Sequence, residues 1–490
     1  MRMASGDTRL AVSSSPVRPF LVLGACCLSL FLVMMDVTIV NVALPSIRLA
    51  FDAGLPALQW IVDAYTLVVS ALLMVAGTLA DRFGRRRIFL TGIVVFCLAS
   101  ALCGMATSSG ALIAARALQG VGGAMLNPVA LSIITNTFTQ PAARARAIGL
   151  WGMMSGAALA IGPVAGGAIS DFFGWRMVFW INLPIGVLAL ILTLRFIPES
   201  RSPVPRRFDF PGQSFAVLTT VALVAALIEG PGFGWGSSPI RGLFVLAAVG
   251  SVSFVLIERR RAEPMLDMRF FRSPPFASSV ILAVLCFAIF ASLLFLNTLY
   301  LQEFCGMTPG RAGLELMPLA VAVMIGAPLS GRLVAARGAR LPLLLAAGGL
   351  TAGPLMLTGL DATVSWGWRA AGYAVLGAGF GLCNAPITNA AVSGMPRRQA
   401  GVAAAVASTS RQIGTALGVA IAGSVGAAEA LQASAGGRLS ADFLGLMRSV
   451  CWLAAGGGVL VGVIALLGTS RHAQLVARRM ADGFDSSPQG

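Results

Sequence analysis

The chain has 490 residues, of which 57% are hydrophobic and only 11% are charged, and its formal net charge is +16. Soluble domains carry about 25% charged residues, so this composition excludes an ordinary soluble protein and indicates an integral membrane protein. The positive charge does not indicate a nucleic-acid partner, because all 35 basic residues are arginine and most lie in alternate connections between apolar segments.

Apolar segments that are long enough to cross a bilayer recur along the whole chain. A helix rises 1.5 Å per residue, so roughly twenty apolar residues span the hydrocarbon layer. We therefore predict an all-α integral membrane protein with about 14 transmembrane helices. In chain order the predicted spans are 20–44, 57–80, 88–106, 111–138, 147–169, 177–197, 215–228, 243–257, 276–301, 312–334, 341–360, 370–392, 401–427 and 445–467.

Arginine clusters mark alternate connections between these spans, from Arg82 near the second span to Arg479 near the C-terminus. Positively charged connections stay on the cytoplasmic side of a membrane, so this pattern predicts that both termini are cytoplasmic. The first span is longer than the apolar part of a signal peptide and lacks a small-residue cleavage site, so we expect it to be retained. The predicted location is a membrane that the chain crosses many times.

The chain also repeats part of its own pattern. The segment 77–87 joins spans two and three, and the similar segment 331–340 joins spans ten and eleven. This repeat predicts two six-helix bundles, related by an axis along the membrane normal, with two inserted central helices between them. The predicted divisions are a tail at 1–18, the first bundle at 19–200, the inserted helices with their connectors at 201–272, the second bundle at 273–470 and a tail at 471–490.

Residue types that carry chemistry are sparse. The only histidine is His472, and seven of the eight cysteines fall within predicted spans. The sequence shows no disulfide framework, no metal-ligand spacing and no catalytic constellation, so we predict no enzyme activity, no metal and no cofactor. It also lacks a GxxxxGK[ST] phosphate-binding loop, which favours an ion gradient as the energy source.

Asp36 lies inside the first predicted span. An ionisable side chain inside a membrane is costly, and it marks a functional site by default. We hypothesise that Asp36 couples transport to protons opposite Arg116 of span four, at a similar depth; a purely structural ion pair is the alternative. Asp63 of span two is a third proton-coupling candidate in the same layer, unless it lies near enough to the interface to be solvated.

Polar residues at helical spacing predict faces that line a cavity, because lipid cannot solvate them. Such stripes occur in spans two and four, and polar residues also occur in spans twelve and thirteen. For Arg411 a helix-packing contact with backbone carbonyls is an equal alternative. Glu303 and Glu315 lie near the outer boundary, where we expect them to be solvated. The candidate cavity residues are Gln59, Thr66, Asn127, Asn384 and Arg411.

Two glycine-containing segments are candidates for moving parts. The connection after span two would form a conformational latch at the cytoplasmic face, or would only determine topology. The glycines of span five would permit close helix contact, and the proline among them would bend the helix. The latch residues are Gly77, Asp81, Arg82, Gly84, Arg85 and Arg86, and the motif in span five comprises Gly162, Pro163, Gly166 and Gly167.

Together and in order, these segments resemble the signatures of the fourteen-helix drug:proton antiporters of the QacA/EmrB type in the major facilitator superfamily. The matching segments are 35–45, 77–87, 112–123, 162–167, 175–186 and 411–414, although Ala158 departs from the glycine often found four residues before Gly162. The resemblance implies the major facilitator fold, a location in the bacterial cytoplasmic membrane, and proton-driven export of hydrophobic or amphipathic molecules, including cations, such as drugs, dyes or antibiotics.

The partners expected from this resemblance are a small-molecule substrate, protons and the lipid bilayer, with no nucleic acid; the sequence names no obligate protein partner. A dedicated exporter of one metabolite stays an open alternative. A facilitator or importer of the same fold does as well, because a fold does not fix the direction of transport.

Overall fold

A computed structural model describes residues 19–202, 209–261, 266–361, 363–393, 395, 400–425 and 441–485. All regular structure in this part of the chain is helical. A 3₁₀ segment at Met268–Arg272 precedes the tenth helix, and a π-helical segment at Tyr300–Phe304 extends it. The α-helices are α1 Pro19–Phe51, α2 Leu55–Phe83, α3 Arg85–Gly104, α4 Ser109–Thr137, α5 Pro141–Phe173, α6 Met177–Trp180, α7 Asn182–Phe196, α8 Phe210–Phe233, α9 Ser238–Arg260, α10 Pro274–Leu299, α11 Pro309–Glu315, α12 Met317–Arg337, α13 Arg340–Leu357, α14 Trp366–Val392, α15 Ala400–Ser424, α16 Ala441–Gly468 and α17 Arg471–Asp485.

The helical membrane architecture predicted from the sequence is confirmed. Among the described residues, 13 helices are long and apolar enough to cross a membrane. The predicted span at 401–427 is not among them, but it is observed as the 25-residue helix α15. α15 carries Arg411 at its centre, and it packs against α10, α14 and α2.

Helix boundaries coincide with residues that favour them. Pro56 and Pro141 occupy first turns, where the missing amide hydrogen is not needed. The hydroxyl of Ser108 accepts a hydrogen bond from the amide of Ala111 at the start of α4. Gly84, between α2 and α3, has φ of 115°, which side-chain-bearing residues rarely adopt. The chain therefore reverses direction at Gly84 with a single residue between two helices.

The helices form two packed groups. In the first, α1 packs against α4, α5 and α7, and α4 packs against α2 and α3. In the second, α10 packs against α14, α15 and α16, while α14 packs against α12 and α13. The first group falls within 19–200 and the second within 273–470; the domain boundaries themselves stay a prediction.

Between the two groups, α2 contacts α15, α1 contacts α10, and α5 contacts α11 and α12. The inserted helix α8 lies against both α2 and α15, so it covers one edge of the interface between the groups. The indole nitrogen of Trp60 in α2 donates a hydrogen bond to Glu229 in α8 at 2.8 Å. α9 packs on α8.

The hydrogen bonds and ion pairs that join the two groups cluster at one end of the bundle, which we call the closed end. Here Arg48 pairs with Glu303, and the amide of Gln302 donates to the carbonyl of Val42 at 2.8 Å. At the same end the backbone amide of Gly310 donates to Asp171 at 2.9 Å. The closed end includes the connection between α1 and α2, opposite the connection that contains Gly84.

Candidate transport site

Asp36 is the centre of a buried polar network in the first group. Packing of α1 against α4 and α7 leaves its side chain with no exposed surface. One carboxylate oxygen accepts a hydrogen bond from Arg116 at 2.5 Å, and the other accepts from Gln119 and Asn182, both at 2.9 Å. The predicted pairing of Asp36 with Arg116 is thus observed as a direct ion pair.

Arg116 is held by further contacts on α2 and α4. Its Nε donates to the carbonyl of Ile61 at 3.1 Å, and its Nη1 also donates to the side-chain oxygen of Gln119 at 2.6 Å. The guanidinium lies 4.4 Å from the ring centre of Tyr65, within the range of a cation–π contact. A buried ion pair is tolerated when additional hydrogen bonds satisfy both groups, and this pair meets that condition.

Three members of this network were not among the predicted site residues. They are Gln119, Asn182 and Ser100, whose hydroxyl lies 3.3 Å from the Gln119 amide nitrogen and 2.9 Å from that of Asn182. Ser100 itself donates to the carbonyl of Phe179 at 2.8 Å. The available signal was a polar residue within each of the predicted spans 88–106, 111–138 and 177–197, but the sequence does not show that these three residues converge beside Asp36.

Asp63 does not join the pair, although the sequence predicted three charges in one layer. Its carboxylate is completely buried, and neither oxygen has a hydrogen-bond partner among the described residues. Arg116 contacts α2 through Ile61 and Tyr65, whereas Gln59, one turn before Asp63, faces α15. Asp63 therefore lies on the side of α2 that meets the second group.

The other predicted cavity residues of α2 and α4 differ in their contacts. Gln59 is buried, and its amide donates to the carbonyls of Val419 and Ala420 in α15 at 2.8 and 3.1 Å. Thr66 is buried and donates to a carbonyl of its own helix at 3.2 Å. The side-chain oxygen of Asn127 is buried without a partner in the described structure.

Asn384 and Arg411, predicted on neighbouring spans, are brought together. One guanidinium nitrogen of Arg411 donates to the side-chain oxygen of Asn384 at 3.1 Å and to the hydroxyl of Thr388 at 3.2 Å. The sequence left helix packing through backbone carbonyls as an alternative for Arg411. Its observed hydrogen bonds go instead to side chains, and the Asn384 side of the contact is exposed.

The latch segment is anchored within the first group. Asp81 pairs with Arg85 at 2.9 Å, and the carbonyl of Asp81 accepts a hydrogen bond from the amide of Ser202. A β-carbon at Gly84 would overlap the carboxylate of Glu199, which accepts hydrogen bonds from the amides at the start of α3. Glu199 was missed because it lies far away in sequence, beyond α7. It satisfies free amides at a helix N-terminus, where negative charge is favourable.

The remaining latch candidates differ in their surroundings. The guanidinium of Arg86 donates to the carbonyl of Leu194 in α7. Arg82 lies over the ring of Phe83 at 5.6 Å, and a β-carbon at Gly77 would meet nothing within 4 Å. The segment therefore joins α2, α3 and the end of α7.

The glycine motif of α5 lies where this helix contacts both α1 and α11. A β-carbon at Gly162 would overlap Thr38, and one at Gly166 would overlap Ile39, both in α1. At Gly167 it would overlap the carbonyl of Pro309, which begins α11. On the opposite side of this contact, Gly313 approaches the carbonyl of Pro163 in the same way. The motif thus permits close contact between the two groups toward the closed end.

Replacing Gly167 by alanine should weaken this contact. The added methyl group overlaps backbone atoms, which cannot move aside as a side chain can, and overpacking costs about 1–3 kcal/mol. Gly152→Ala in the same helix is the matched control, because its β-carbon would meet nothing within 4 Å. We expect a lower thermal unfolding temperature for Gly167→Ala and no loss for Gly152→Ala. Equal behaviour of the two purified variants would contradict the close contact.

In the second group, Glu315 and Arg369 form a buried ion pair at 3.2 Å. Glu303 is likewise mostly buried, and it pairs with Arg48 across the interface. The expectation that both glutamates are solvated was therefore wrong. Near the membrane boundary, helix packing places an arginine of another helix beside each carboxylate. The sequence alone does not indicate which residues pair in this way.

The sequence resembles resistance and export proteins of several bacteria. A model of the Major Facilitator Superfamily matches residues 26–419. The chain is 41% identical over 403 residues to "Multidrug resistance protein Stp" of Mycobacterium tuberculosis, covering 82% of this chain and 74% of that one. It is 35% identical over 421 residues to "Tetracenomycin C resistance and export protein" of Streptomyces glaucescens, covering 86% of this chain and 78% of that one.

Solved structures share the fold at low sequence identity. A bacterial homologue of the lysosomal transporter Spinster, in an inward-facing conformation, matches with a TM-score of 0.62 and 20% identity over 97% of this chain and 100% of that one. A peptide transporter, POT, in complex with sulfate matches with a TM-score of 0.67 and 15% identity over 93% and 95% of the two chains. Helix architecture, family match and relatives agree: the chain belongs to the major facilitator superfamily and is a multi-pass membrane transporter of that type.

Proposed function

We propose that this protein is a proton-coupled antiporter of the fourteen-helix drug exporter type. It exports hydrophobic or amphipathic small molecules across a bacterial cytoplasmic membrane. The names of its relatives support export: besides the two described above, "Methylenomycin A resistance protein" of Streptomyces coelicolor is 36% identical over 396 residues. The proton gradient across the membrane supplies the energy for export, and the protein uses no cofactor.

The observation that carries the proton-coupling proposal is the contrast between the two buried carboxyl groups of the first group. Asp36 is ion-paired and fully hydrogen-bonded, so its charge is stabilised. Asp63 is equally buried but has no partner in the described structure. An unpaired ionised carboxylate costs several kcal/mol inside a protein, so the form of Asp63 that suits this site is the protonated acid.

Asp63 also lies where the two groups of helices meet. Gln59, one turn away on the same helix, binds carbonyls of α15. If the two groups separate at this contact during transport, Asp63 becomes accessible to water on that side and can take up a proton there. Closing the contact buries the protonated acid, and release of the proton toward the opposite end of the bundle completes its passage across the membrane. This linkage ties the position of the groups to proton uptake and release.

The charge pattern supports an orientation in which the closed end faces outward. The connection with Gly84 carries Arg82, Arg85, Arg86 and Arg87, and it lies at the opposite end. Arginine-rich connections are retained in the cytoplasm. In this orientation, opening of the contact between α5 and α11 would lead to the outside.

Accessibility of single cysteines tests this orientation. Ser202→Cys should resist a membrane-impermeant maleimide in intact cells, because it lies beside the latch segment on the cytoplasmic side. Thr107→Cys, in the exposed turn between α3 and α4, should react. The unaltered chain, with its eight cysteines, provides the baseline for both. Labelling of Ser202→Cys from outside would overturn the topology.

Liposomes that contain the purified protein test the proposed function itself. A pH gradient is imposed, and movement of lipophilic dyes and antibiotics is followed. An antiporter should concentrate substrate against its gradient as protons flow the other way. A facilitator would only equilibrate substrate, and a protein of this fold that senses substrate without transporting it would move none. Either of these two results would overturn the proposal. A dedicated exporter would transport only one compound of the panel.

A further inference from the structure

Arg411 lies near the middle of the membrane-spanning part of the second group. It is eleven residues from the start of the helix Ala400–Ser424, or about 17 Å along the helix axis at 1.5 Å per residue. α15 approaches α10 closely at Gly414 and Gly418, where a β-carbon would overlap the backbone at Val284 and Ala288. The arginine lies one turn from Gly414 and reaches α14.

The observed partners of Arg411 are neutral. They are the amide oxygen of Asn384 and the hydroxyl of Thr388, which share one of its nitrogen atoms. The other arginines buried between helices are different, since Arg116, Arg369 and Arg48 each pair with a carboxylate. Within the described ranges no carboxylate lies at ion-pair distance from Arg411. An arginine at this depth is costly without a counter-charge, and such residues mark substrate pathways.

The arginine points into the bundle rather than toward lipid. Asn384 follows Phe380 by one turn of α14, and Phe380 stacks on Phe290 of α10 with ring centres 3.8 Å apart. Both residues therefore lie on the face of α14 that meets other helices. Asn384 is nevertheless exposed, which indicates open space beside this face of α14. Small-molecule sites usually combine a few polar groups with aromatic and apolar side chains around an open space. The surroundings of Arg411 have this composition.

We propose that Arg411, Asn384 and Thr388 bind the ionised acidic group of an exported molecule, so that the substrates of this transporter are amphipathic organic anions. This inference rests on the proposed export function and adds to it the charge of the exported molecule. The carboxylate of Asp36 is occupied by Arg116, Gln119 and Asn182, so it is not free for a cation. The guanidinium of Arg411 has donors to spare, and its planar shape suits a carboxylate or sulfonate.

The neighbouring aromatic side chains suit the apolar part of such a molecule. Phe380 contacts Phe287 as well as Phe290, with ring centres 4.9 Å apart. Phe287 is only partly buried. The acidic group would bind Arg411 while an aromatic or alicyclic body packs against Phe287. Recognition would therefore require both an acid and an apolar ring system, and a small inorganic anion would bind poorly.

Binding of three matched probes tests the proposal without any gradient. The probes are 1-pyrenebutyrate, its uncharged methyl ester and the corresponding pyrenylbutyl-trimethylammonium cation. The full-length protein is placed in phosphatidylcholine nanodiscs at pH 7.5, and empty nanodiscs correct for partition into lipid. We expect the carboxylate to bind at least about tenfold more tightly than the ester, the size of one charge-assisted hydrogen bond. Equal affinities, or tightest binding of the cation, would overturn the proposal.

Three variants identify the residue responsible. Arg411→Gln removes the charge and should abolish the preference for the carboxylate over the ester. Asn384→Asp places a carboxylate beside Arg411, which supplies a counter-charge and should preserve the fold. This variant should also lose the preference for the carboxylate over the ester. Arg448→Gln removes an exposed arginine of α16 and should retain that preference. A preference that survives in both Arg411→Gln and Asn384→Asp would overturn the site.

The binding result is independent of proton coupling. Selective binding of the carboxylate by a protein that fails to respond to a pH gradient would refute the antiporter and leave the anion site standing. Gradient-driven transport of neutral or cationic dyes alone, with no selective binding of the carboxylate, would refute the anion site and leave the antiporter standing.

Discussion

Asp36→Asn is expected to abolish transport driven by a pH gradient while the protein still inserts and folds. Asparagine keeps the shape of the side chain and can still accept a hydrogen bond from Arg116, but it carries no negative charge. The uncompensated arginine, which contacts α2 at Ile61 and Tyr65, would then oppose protonation of Asp63 on the same helix and so interrupt the proton linkage. Arg116 also keeps its contacts with the carbonyl of Ile61, the oxygen of Gln119 and the ring of Tyr65. Efflux from liposomes with an imposed pH gradient should fall to the level of liposomes without protein.

Asp52→Asn is the matched control for this experiment. It makes the same chemical change at an exposed residue in the turn between α1 and α2, where φ is 48° and asparagine is well tolerated. Its efflux should equal that of the unaltered protein, and both variants should elute as single species after purification. Gradient-driven efflux by Asp36→Asn at the unaltered rate would refute the role of Asp36 in proton coupling.

Arg116→Ala should destabilise the protein more than any other single change in the network. Removing one partner of a buried ion pair leaves the other charge uncompensated, which costs about 3–5 kcal/mol. Asp36 would keep Gln119 and Asn182 as donors but would lose its positive neighbour. The free energy of unfolding, measured by denaturant titration in detergent at pH 8, should fall accordingly. Arg241→Ala, at an exposed position of α9, should change it little.

The double variant Asp36→Asn with Arg116→Ala decides whether the two residues act as a pair. If they do, the double variant should be more stable than the sum of the two single effects predicts, because no unpaired charge is left. An interaction energy of about 0.5–3 kcal/mol is expected for residues in one buried network. Purely additive effects would show that the ion pair contributes nothing beyond its separate parts.

Depth along a helix is the property of the site that the sequence predicted well. The constant rise of 1.5 Å per residue converts position in a span into depth. For Asp36 and Arg116 this was sufficient, because α1 and α4 are neighbours and the two side chains meet. For Asp63 it was not, because equal depth does not determine which neighbour a helical face meets.

The rotation of each helix and the identity of its neighbours were decided only by the tertiary structure. Packing of α2 against both α4 and α15 turns Ile61 toward Arg116 and Gln59 toward the second group. Packing of α3 against α4 and α7 brings Gln119, Asn182 and Ser100 together from three helices. Such convergence depends on contacts between residues that are far apart in the chain.

The sequence by itself determined that this protein is a helical membrane transporter, since the length of its apolar spans, its arginine pattern and its ordered signatures are local properties. It also identified Asp36, Arg116, Asn384 and Arg411 as charged or polar groups that lipid cannot solvate. Only the tertiary structure decided which of these charges are compensated. It gave Asp36 a counter-charge and left Asp63 and Arg411 without a charged partner in the described residues, because compensation depends on distances of a few ångströms between different helices.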